Sequence, residues 1–216
     1  MHTETLGDLR YPKTKRDVAP KPSAFFRVEN YLMSKSLQGN CLLASPFMDD
    51  PNFFRSVIYL VRHTEDHAFG LILNRPTDFR MDKVVSMVCE LECVHDRPLY
   101  CGGPVDGPLI ALHDQPDLGS EDCIDGLHMT SDQDKLLRLF VLPEAKLKLF
   151  DGFAGWGAGQ LEDEIATGSW LIADVDADLV LSDDPEMWET LLKRIGQNIL
   201  AVDDKITDSP IDPQWN

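Results

Sequence analysis

The chain of 216 residues carries a formal net charge of −17, which disfavours direct binding to nucleic-acid phosphates and to anionic membrane surfaces. Its hydrophobic content of 43% is that of an ordinary globular protein, and its length suits a single domain with a buried core. Its aliphatic and aromatic runs are too short to cross a bilayer, so no membrane association is expected.

Residues 1–23 are predicted to form a flexible tail because they combine prolines with many charges. The only local excess of basic residues begins here: Arg10, Lys13, Lys15, Arg16, Lys21 and Arg27. Residues 24–216 are predicted to form one domain. The start of the chain lacks the apolar stretch of a secretory signal, so a cytoplasmic location is expected. The odd number of cysteines, 5, argues against a disulfide framework.

Apolar periodicity in the first half of the domain predicts one helix, one buried strand and a hairpin. In chain order these are a helix over residues 24–37, a strand over 41–44, and hairpin strands over 56–62 and 68–73. The chain then leaves the sheet at Asn74-Arg75-Pro76. Because the residue before a proline prefers an extended backbone, Arg75 is expected to project from a strand end.

The next segment is predicted to alternate between helices and strands. In chain order it contains a helix over 81–90, strands over 98–101 and 109–113, an acidic loop over 115–125, a strand over 126–130 and a helix over 131–141. Val84, Val85 and Val88 should face inward on the first of these helices. Ser131 has the spacing of an N-cap for the second.

The densest group of unusual residues lies in residues 146–173. Residues 146–150 alternate charged and apolar side chains, which predicts a half-buried strand. Four glycines follow, at 152, 155, 157 and 159, and they predict a tight turn. A helix should begin near Gly159 and end at Gly168, before a buried strand over 169–173.

The last part of the domain is predicted to hold a solvated acidic loop over residues 174–178 and a final helix. Asp184 should cap that helix, Pro185 should occupy its first position, and Gly196 should end it. A polar tail is expected from residue 206 onwards.

The glycine turn has two interpretations. A glycine turn that feeds a helix N-terminus can bind an anion through free backbone N–H groups, with Gln160 and Glu162 as polar contacts. The turn can equally serve only to pack Trp156 against neighbouring strands. Its spacing differs from the dinucleotide-binding fingerprint, so a dinucleotide-binding fold is not predicted.

Four sequence blocks form a recognisable series over about residues 39–196. They are Cys41-Leu-Leu-Ala-Ser-Pro46 with Asp50-Pro-Asn-Phe-Phe-Arg-Ser-Val57, Gly70-Leu-Ile-Leu-Asn-Arg-Pro76, Tyr100-Cys-Gly-Gly-Pro-Val105, and Phe153-Ala-Gly-Trp-Gly-Ala-Gly-Gln-Leu-Glu162. Together they resemble the AlgH/YqgE family. The resemblance implies a bacterial, cytoplasmic and largely uncharacterised protein. It also implies an α+β fold with a strongly bent, mainly antiparallel sheet, a pseudo-barrel, and helices packed outside. One family member carries a transcriptional-regulator label, although the family has no recognisable DNA-binding motif.

Two groups of residues in the sequence have side chains of the types that bind metals. Cys89, Cys93, His95 and Cys101 have a spacing that zinc permits, but cysteines are also common small core residues. His63 and His67 flank a predicted hairpin turn, which removes the helical geometry that a metal pair needs. No metal and no cofactor are therefore expected.

Eight residues are retained as ligand-binding candidates: Asn74, Arg75, His113, Gly155, Trp156, Gly157, Gln160 and Glu162. Arg75 could hold an anionic group with two hydrogen bonds, and His113 could titrate near neutral pH. Arg75 and Glu162 could equally form a structural ion pair. The first hypothesis is a regulatory or interaction protein that binds an unknown protein partner. The alternative is a protein or enzyme that binds a small anionic ligand or nucleotide, with no catalytic residue assigned.

Overall fold

The computed structural model describes residues 36–207, which form two β-sheets and five α-helices. Three of the helices pack on the outer faces of the sheets, and the last two pack against the apolar layer between the sheets. The strands are β1 (Cys41–Ala44), β2 (Val57–His63), β3 (His67–Ile72), β4 (Pro76–Arg80), β5 (Pro98–Cys101), β6 (Ile110–His113), β7 (Glu121–Asp122), β8 (His128–Thr130), β9 (Leu147–Asp151), β10 (Ala154–Gly157) and β11 (Trp170–Ala173). The helices are α1 (Met81–Cys89), α2 (Gln133–Phe140), α3 (Gln160–Ala166), α4 (Ala177–Leu181) and α5 (Met187–Thr207), with a 3-10 turn at Pro116–Leu118.

Pairing in both sheets is mainly antiparallel. Sheet A has the order β10-β3-β2-β1-β11 and is antiparallel throughout. Sheet B has the order β4-β5-β9-β6-β8-β7, in which β5 and β9 form a parallel pair. The predicted α+β class is therefore confirmed. Within the described residues the strands divide into two sheets that do not close into a barrel.

The core has three layers because the central strands are apolar on both faces. Leu43, Tyr59 and Phe150 belong to the layer between the two sheets. Leu42 and Ile58 point to the outer face of sheet A. The outer face of sheet B is covered by α1 and α2, whose inward side chains pack on that sheet. The continuous apolar run predicted at 56–62 fits this arrangement, since β2 is buried on both sides.

The two sheets meet where the chain crosses from β9 to β10 through Gly152 and Phe153. Gly152 has a φ of 73°, a backbone conformation that favours glycine. A Cβ on Gly102 would lie 2.2 Å from the carbonyl oxygen of Gly152. The Gly102 N–H donates to the Asp151 carbonyl over 2.8 Å, and the Gly102 carbonyl accepts from the Ile72 N–H over 2.9 Å. A backbone contact that needs glycine therefore joins sheet A to sheet B.

Most predicted elements are confirmed, but two stretches placed outside the sheets are strands. Residues 76–80, expected to leave the sheet, form β4 at one edge of sheet B. Residues 154–157, expected to be part of a turn, form β10 at the edge of sheet A. Glycine is a poor strand former, so the glycine-rich composition of residues 154–157 gives no strand signal. This segment is a strand because it pairs with β3 at the edge of sheet A.

Helix boundaries also differ from the prediction. The N-cap of α2 is Asp132 rather than Ser131, and its Oδ1 accepts the Lys135 N–H over 3.0 Å. Helix α5 begins at Met187, after Pro185, and continues through Gly196, where it was expected to end. The predicted acidic loop at 174–178 contains Asp176, which caps α4 by accepting the Leu179 N–H over 2.8 Å.

Three further predictions are corrected. The acidic segment 115–125 contains the 3-10 turn and β7 rather than loop alone. Val88 is 70% exposed rather than inward, whereas Val85 is buried. Residues 147–150 are buried on both faces, so Lys148 is a core residue. The tail at 1–23 and nearly all of the helix expected over 24–37 lie outside the described residues. Ser36 and Leu37 are described, and they are not helical.

The cap of α2 provides a matched test. Asp132→Ala should lower the free energy of unfolding by about 1 kcal/mol, because the Lys135 N–H loses its acceptor. Ser131→Ala should change it by less than about 0.5 kcal/mol, as for an ordinary exposed side chain. Urea unfolding monitored by circular dichroism measures both variants. A larger loss for Ser131→Ala would contradict the cap assignment.

Candidate functional site

The Asn74-Arg75 corner holds the loop that precedes β2. Asn74 Oδ1 accepts the Val57 N–H and Asn74 Nδ2 donates to the Arg55 carbonyl, each over 2.9 Å. Arg55 has a φ of 52°, which is unusual for a residue other than glycine. These two hydrogen bonds fix the loop on either side of the strained residue.

The guanidinium of Arg75 holds the same loop, and we call its contacts the Arg75 clamp. It donates to the backbone carbonyls of Asn52, Pro51 and Phe54. Arg75 was predicted to bind an anion, or to pair with Glu162. In the structure its partners are carbonyls, which an anion would have to displace.

An aromatic cluster lies beyond this loop, on the outer face of sheet A. The Phe53 ring stacks on Trp156 at a centroid distance of 6.4 Å and meets Trp170 edge-on at 5.5 Å. The two indoles are 6.1 Å apart, also edge-on. Trp156 comes from β10 and Trp170 from β11, at opposite edges of sheet A. The edges of a flat five-stranded sheet would lie roughly 19 Å apart. The close approach of the two indoles therefore shows that sheet A is strongly bent, so that its two edges come together over the outer face.

Glu164 on α3 joins the two tryptophans. Its Oε2 accepts the Trp156 Nε1–H over 2.9 Å and the Trp170 Nε1–H over 2.7 Å. Its Oε1 accepts from Gln160 Nε2 over 2.9 Å. The Gln160 Oε1 in turn accepts the Gly157 N–H over 3.2 Å. This network attaches α3 to the edge strand β10.

Glu162, two residues before Glu164 on α3, has a different partner. Its Oε1 lies 2.7 Å from His63 Nε2, and the His63 Nδ1 accepts the Leu37 N–H over 2.9 Å. Because the amide can only donate, the neutral His63 ring carries its proton on Nε2 and donates it to Glu162. The predicted Arg75–Glu162 pair is thus replaced by a His63–Glu162 pair.

A surface pocket of about 410 Å³ opens beside the aromatic cluster, between residues 45–53 and 164–170. We call it the loop–helix pocket. Its lining residues are the aromatic Phe47, Phe53 and Trp170, the acidic Asp49, Asp50 and Glu164, the hydroxyl-bearing Ser45, Thr167 and Ser169, and Met48 and Gly168. None of these lining residues is basic, so the pocket combines an apolar wall with negative charge.

Seven of the eight predicted ligand residues fall into two groups, and the eighth, His113, lies elsewhere. Gly155, Trp156, Gly157, Gln160 and Glu162 lie together on β10 and α3, while Asn74 and Arg75 reach this group only through the loop that carries Phe53. None of the eleven residues that line the pocket was predicted, including Phe53, Glu164 and Trp170 of its wall. Phe53 lies in one of the four sequence blocks, and Glu164 belongs to the acidic run of α3, which were the available signals.

His113 lies apart from this region, on β6 of sheet B. It is fully buried, and its Nδ1 accepts the Gln115 N–H over 3.2 Å. Its Nε2 has no hydrogen-bond partner among the described residues. Burial, helped by the nearby His128 ring, lowers the pKa of His113 to about 4. Titration near neutral pH, as predicted for His113, is therefore corrected: the ring stays neutral there.

Lys148 is a buried cation that sequence reasoning placed at a half-exposed position. Its Nζ donates to the Leu73 carbonyl over 3.0 Å and lies 4.5 Å from the centre of the Tyr100 ring. Burial lowers the pKa of Lys148 to about 8, and the charge of Asp183 opposes this shift. The Tyr100 hydroxyl donates to Asp183 Oδ1 over 2.7 Å. Lys148 therefore connects sheet B to the end of β3 in sheet A.

The candidate metal ligands have other contacts. His95 Nε2 donates to the Leu139 carbonyl over 3.0 Å, and the thiols of Cys93 and Cys101 approach the carbonyls of His95 and Gly103. Residues 36–207 contain no group of three His, Cys, Asp or Glu side chains placed to hold a metal ion. The same part of the chain contains no helix that is long and apolar enough to span a bilayer.

Comparison with known proteins gives consistent relatives. A family model described as AlgH-like matches residues 41–200. A UPF0301 protein of Chlorobaculum tepidum is 37% identical over 73% of this chain and 86% of its own length. A UPF0301 protein of Ruegeria pomeroyi is 38% identical over 77% of this chain and 95% of its own. The solution structure of the AlgH protein of Pseudomonas aeruginosa superposes with a TM-score of 0.60 at 28% identity, covering 83% of this chain and 97% of that one.

The Arg75 clamp can be tested by substitution. Arg75→Ala should lower the free energy of unfolding by about 1–2 kcal/mol, because three carbonyl contacts are lost. It should also red-shift the tryptophan emission, since Phe53 loses its support beside Trp156. Arg80→Ala is the control: Arg80 pairs with the exposed Asp96, and its loss should cost less than about 1 kcal/mol. Unchanged emission in Arg75→Ala would contradict the proposed coupling.

The buried His113 predicts a pH dependence. Its folded pKa is lowered to about 4 from the ordinary 6.5, so the unfolded chain binds the extra proton between these values. Stability should therefore rise with pH across this window, and fall by roughly 2 kcal/mol from pH 7 to pH 5. His113→Phe should remove that part of the slope in urea unfolding. Ser131→Ala, which removes no titratable group, should leave the slope unchanged. Equal slopes in wild type and His113→Phe would refute the assignment.

Proposed function

The chain belongs to the AlgH-like family, and from that premise we propose that it is a regulatory or interaction protein whose loop–helix pocket binds a segment of a partner protein. The names of its relatives state no activity, so the proposal depends on the chemistry of the site. The partner segment carries both an apolar side chain and a positive charge.

One observation carries this proposal: Phe47 stands 93% exposed on the rim of a pocket that already has an aromatic wall. A single exposed aromatic side chain is common on protein surfaces, but Phe47 extends the apolar wall of a pocket, and aromatic residues are enriched at the centres of interfaces. Phe53 and Trp170 supply a further apolar surface beside it.

The negative charge of the pocket favours partner segments that carry a positive charge. Asp49 and Asp50 lie at the mouth, and Glu164 lies at the wall with its oxygens engaged by both indoles and Gln160. Carboxylates beside aromatic faces favour a guanidinium or an ammonium group, since both the charge and the ring attract a cation. An anionic segment would be repelled by the same residues.

The alternative of a small anionic ligand near Arg75 and the 155–159 segment stays a prediction. The guanidinium of Arg75 already donates to three carbonyls, and the pocket beside it is acidic, so the interaction hypothesis has the better support. Direct regulation of DNA has little support from a chain of net charge −17. Action in the cytoplasm also stays a prediction, with which the five cysteines, none of them in a disulfide bond, agree.

A pair of synthetic peptides tests the proposal. The probe is a fluorescent ten-residue peptide with two Phe and three Arg, and its matched control has Glu in place of Arg. Fluorescence anisotropy at physiological salt should show saturable binding of the Arg peptide and none of the Glu peptide. Phe47→Ala should weaken the Arg peptide at least fivefold, because hot-spot aromatics carry much of the binding energy.

Phe79→Ala is the control variant, because Phe79 is also exposed but lies on β4 of sheet B. It should bind the Arg peptide as wild type does. Equal weakening by both substitutions, or binding that disappears entirely with modest salt, would indicate unspecific attraction to an acidic surface and would refute the pocket as the binding site.

A further inference from the structure

The carboxylate in the wall of the loop–helix pocket has little capacity left to accept hydrogen bonds. Glu164 Oε2 accepts the indole N–H groups of Trp156 and Trp170, over 2.9 and 2.7 Å. Its Oε1 accepts from Gln160 Nε2 over 2.9 Å. A carboxylate has about four lone-pair positions for accepting hydrogen bonds, so most of them are occupied here. Glu164 therefore offers an incoming cation its negative charge more than it offers an acceptor.

Other polar side chains of the lining are also engaged with the protein itself. The Thr167 hydroxyl donates to the Glu164 carbonyl over 3.0 Å and lies 3.3 Å from Ser169 Oγ. Asp50 Oδ1 accepts the Asn52 N–H over 2.8 Å. Much of the hydrogen-bonding capacity of the pocket is thus already used, while its negative charge is not neutralised by any basic residue of the lining.

The apolar part of the lining forms a corner. The rings of Phe53 and Trp170 stand at 75° to each other, with their centroids 5.5 Å apart. Phe47 stands exposed at the rim, and the Met48 side chain also lines the pocket. Proteins bind quaternary ammonium groups between aromatic rings of this kind. The pocket volume of about 410 Å³ suits such a group together with the alkyl chain that carries it.

These two properties of the lining distinguish between kinds of cation. A lysine ammonium and an arginine guanidinium are hydrogen-bond donors, and each of their N–H groups gives up water on entering the pocket. A donor that then lacks an acceptor is costly. A trimethylammonium group carries the same charge without any donor, and its methyl groups pack on aromatic rings. The interior of the pocket therefore favours the methylated cation.

We propose that the loop–helix pocket is an aromatic cage for a quaternary ammonium group, and that the partner segment presents this group as a trimethylated lysine. The methyl groups lie against Phe47, Phe53 and Trp170, and the charge lies near the carboxylates of Asp49 and Glu164. The inference rests on the proposed function, because it names the side chain by which the partner segment is recognised. Methylation of the partner then controls how tightly it binds.

Two peptides that differ only in methylation test the inference. Each is a fluorescent ten-residue peptide with two Phe and a central lysine, which is trimethylated in one of them. Fluorescence anisotropy with the full-length chain should show tighter binding of the trimethylated peptide, by about fivefold or more, as expected for a desolvated cation–π contact. Phe47→Ala should abolish this preference, whereas Phe79→Ala, on β4 of sheet B, should retain it. Equal affinities of the two peptides would overturn the inference, while binding of the Arg peptide would still support the proposed function.

Small probes separate the ammonium group from the rest of the peptide. Choline, ethanolamine and 3,3-dimethylbutan-1-ol share a hydroxyethyl chain, and their end groups are a trimethylammonium, an ammonium and a neutral tert-butyl group. Isothermal titration calorimetry should show choline binding tighter than either of the others by about fivefold or more. Asp49→Asn should weaken choline because it removes a charge at the mouth of the pocket. Asp78→Asn, which removes an exposed charge on β4, should leave choline binding unchanged.

The probes also distinguish failure of the inference from failure of the proposed function. Equal binding of choline and the neutral alcohol would overturn the inference, because the pocket would then select for apolar shape alone. Binding of choline without binding of the trimethylated, lysine or Arg peptide would overturn both the lysine source and the proposed function, since the ligand would then be a small molecule.

Discussion

The close approach of Gly102 to Gly152 is the contact on which the arrangement of the two sheets depends. Within the described residues the chain crosses between the sheets twice, from β3 to β4 and from β9 to β10. At the second crossing no side chain fits between the backbones of Gly102 and Gly152. Lys148 adds a second connection by donating from β9 to the Leu73 carbonyl. With both in place, the apolar layer between the sheets closes, and the outer face of sheet A is presented as a stable platform.

The loop–helix pocket is a product of this platform and of one long-range pairing. Strands β1 and β11 are adjacent in sheet A, with Ala44 opposite Trp170, so the loop after β1 meets the segment before β11. The Ser45 N–H donates to the Ser169 carbonyl over 2.9 Å, which closes the base of the pocket. The Asn74-Arg75 corner then holds Phe53 from the opposite side. The walls therefore come from two distant parts of the chain, residues 45–53 and 164–170, and a third part, Asn74-Arg75, supports the first of them.

The separation in sequence between segments that meet in the fold explains which features the sequence predicts and which it does not. The hairpin of β2 and β3, the helix α3 and the α+β class have local signals, namely apolar runs, a polar turn and helical spacing, and all are confirmed. Strand β10 lacked such a signal because alternate glycines carry no apolar pattern, and only its partner β3 defines it. Lys148 was misplaced for a related reason, since local alternation cannot tell whether the second face of a strand will be covered.

Sequence patterns led to the neighbourhood of the pocket, but none of the eight predicted residues lines it. Trp156, Gln160 and Glu162 were singled out from the glycine-rich segment, and they do lie together beside the pocket. The acidic loop wall and Trp170 depend on the pairing of β1 with β11, which leaves no trace in either strand alone. His113 was chosen for a titration that its burial prevents. Chemistry that depends on distant neighbours was therefore the part that local patterns missed.

Two indole groups share one carboxylate oxygen of Glu164, and this geometry has an evolutionary consequence. Loss of either tryptophan leaves Glu164 Oε2 with one indole donor instead of two. Loss of Glu164 leaves both indole N–H groups without this acceptor. The effects of substitution at these three positions cannot be additive. During evolution, a substitution at one of these three positions should therefore be accompanied by a compensating substitution at another. The arrangement should be lost as a whole rather than one residue at a time.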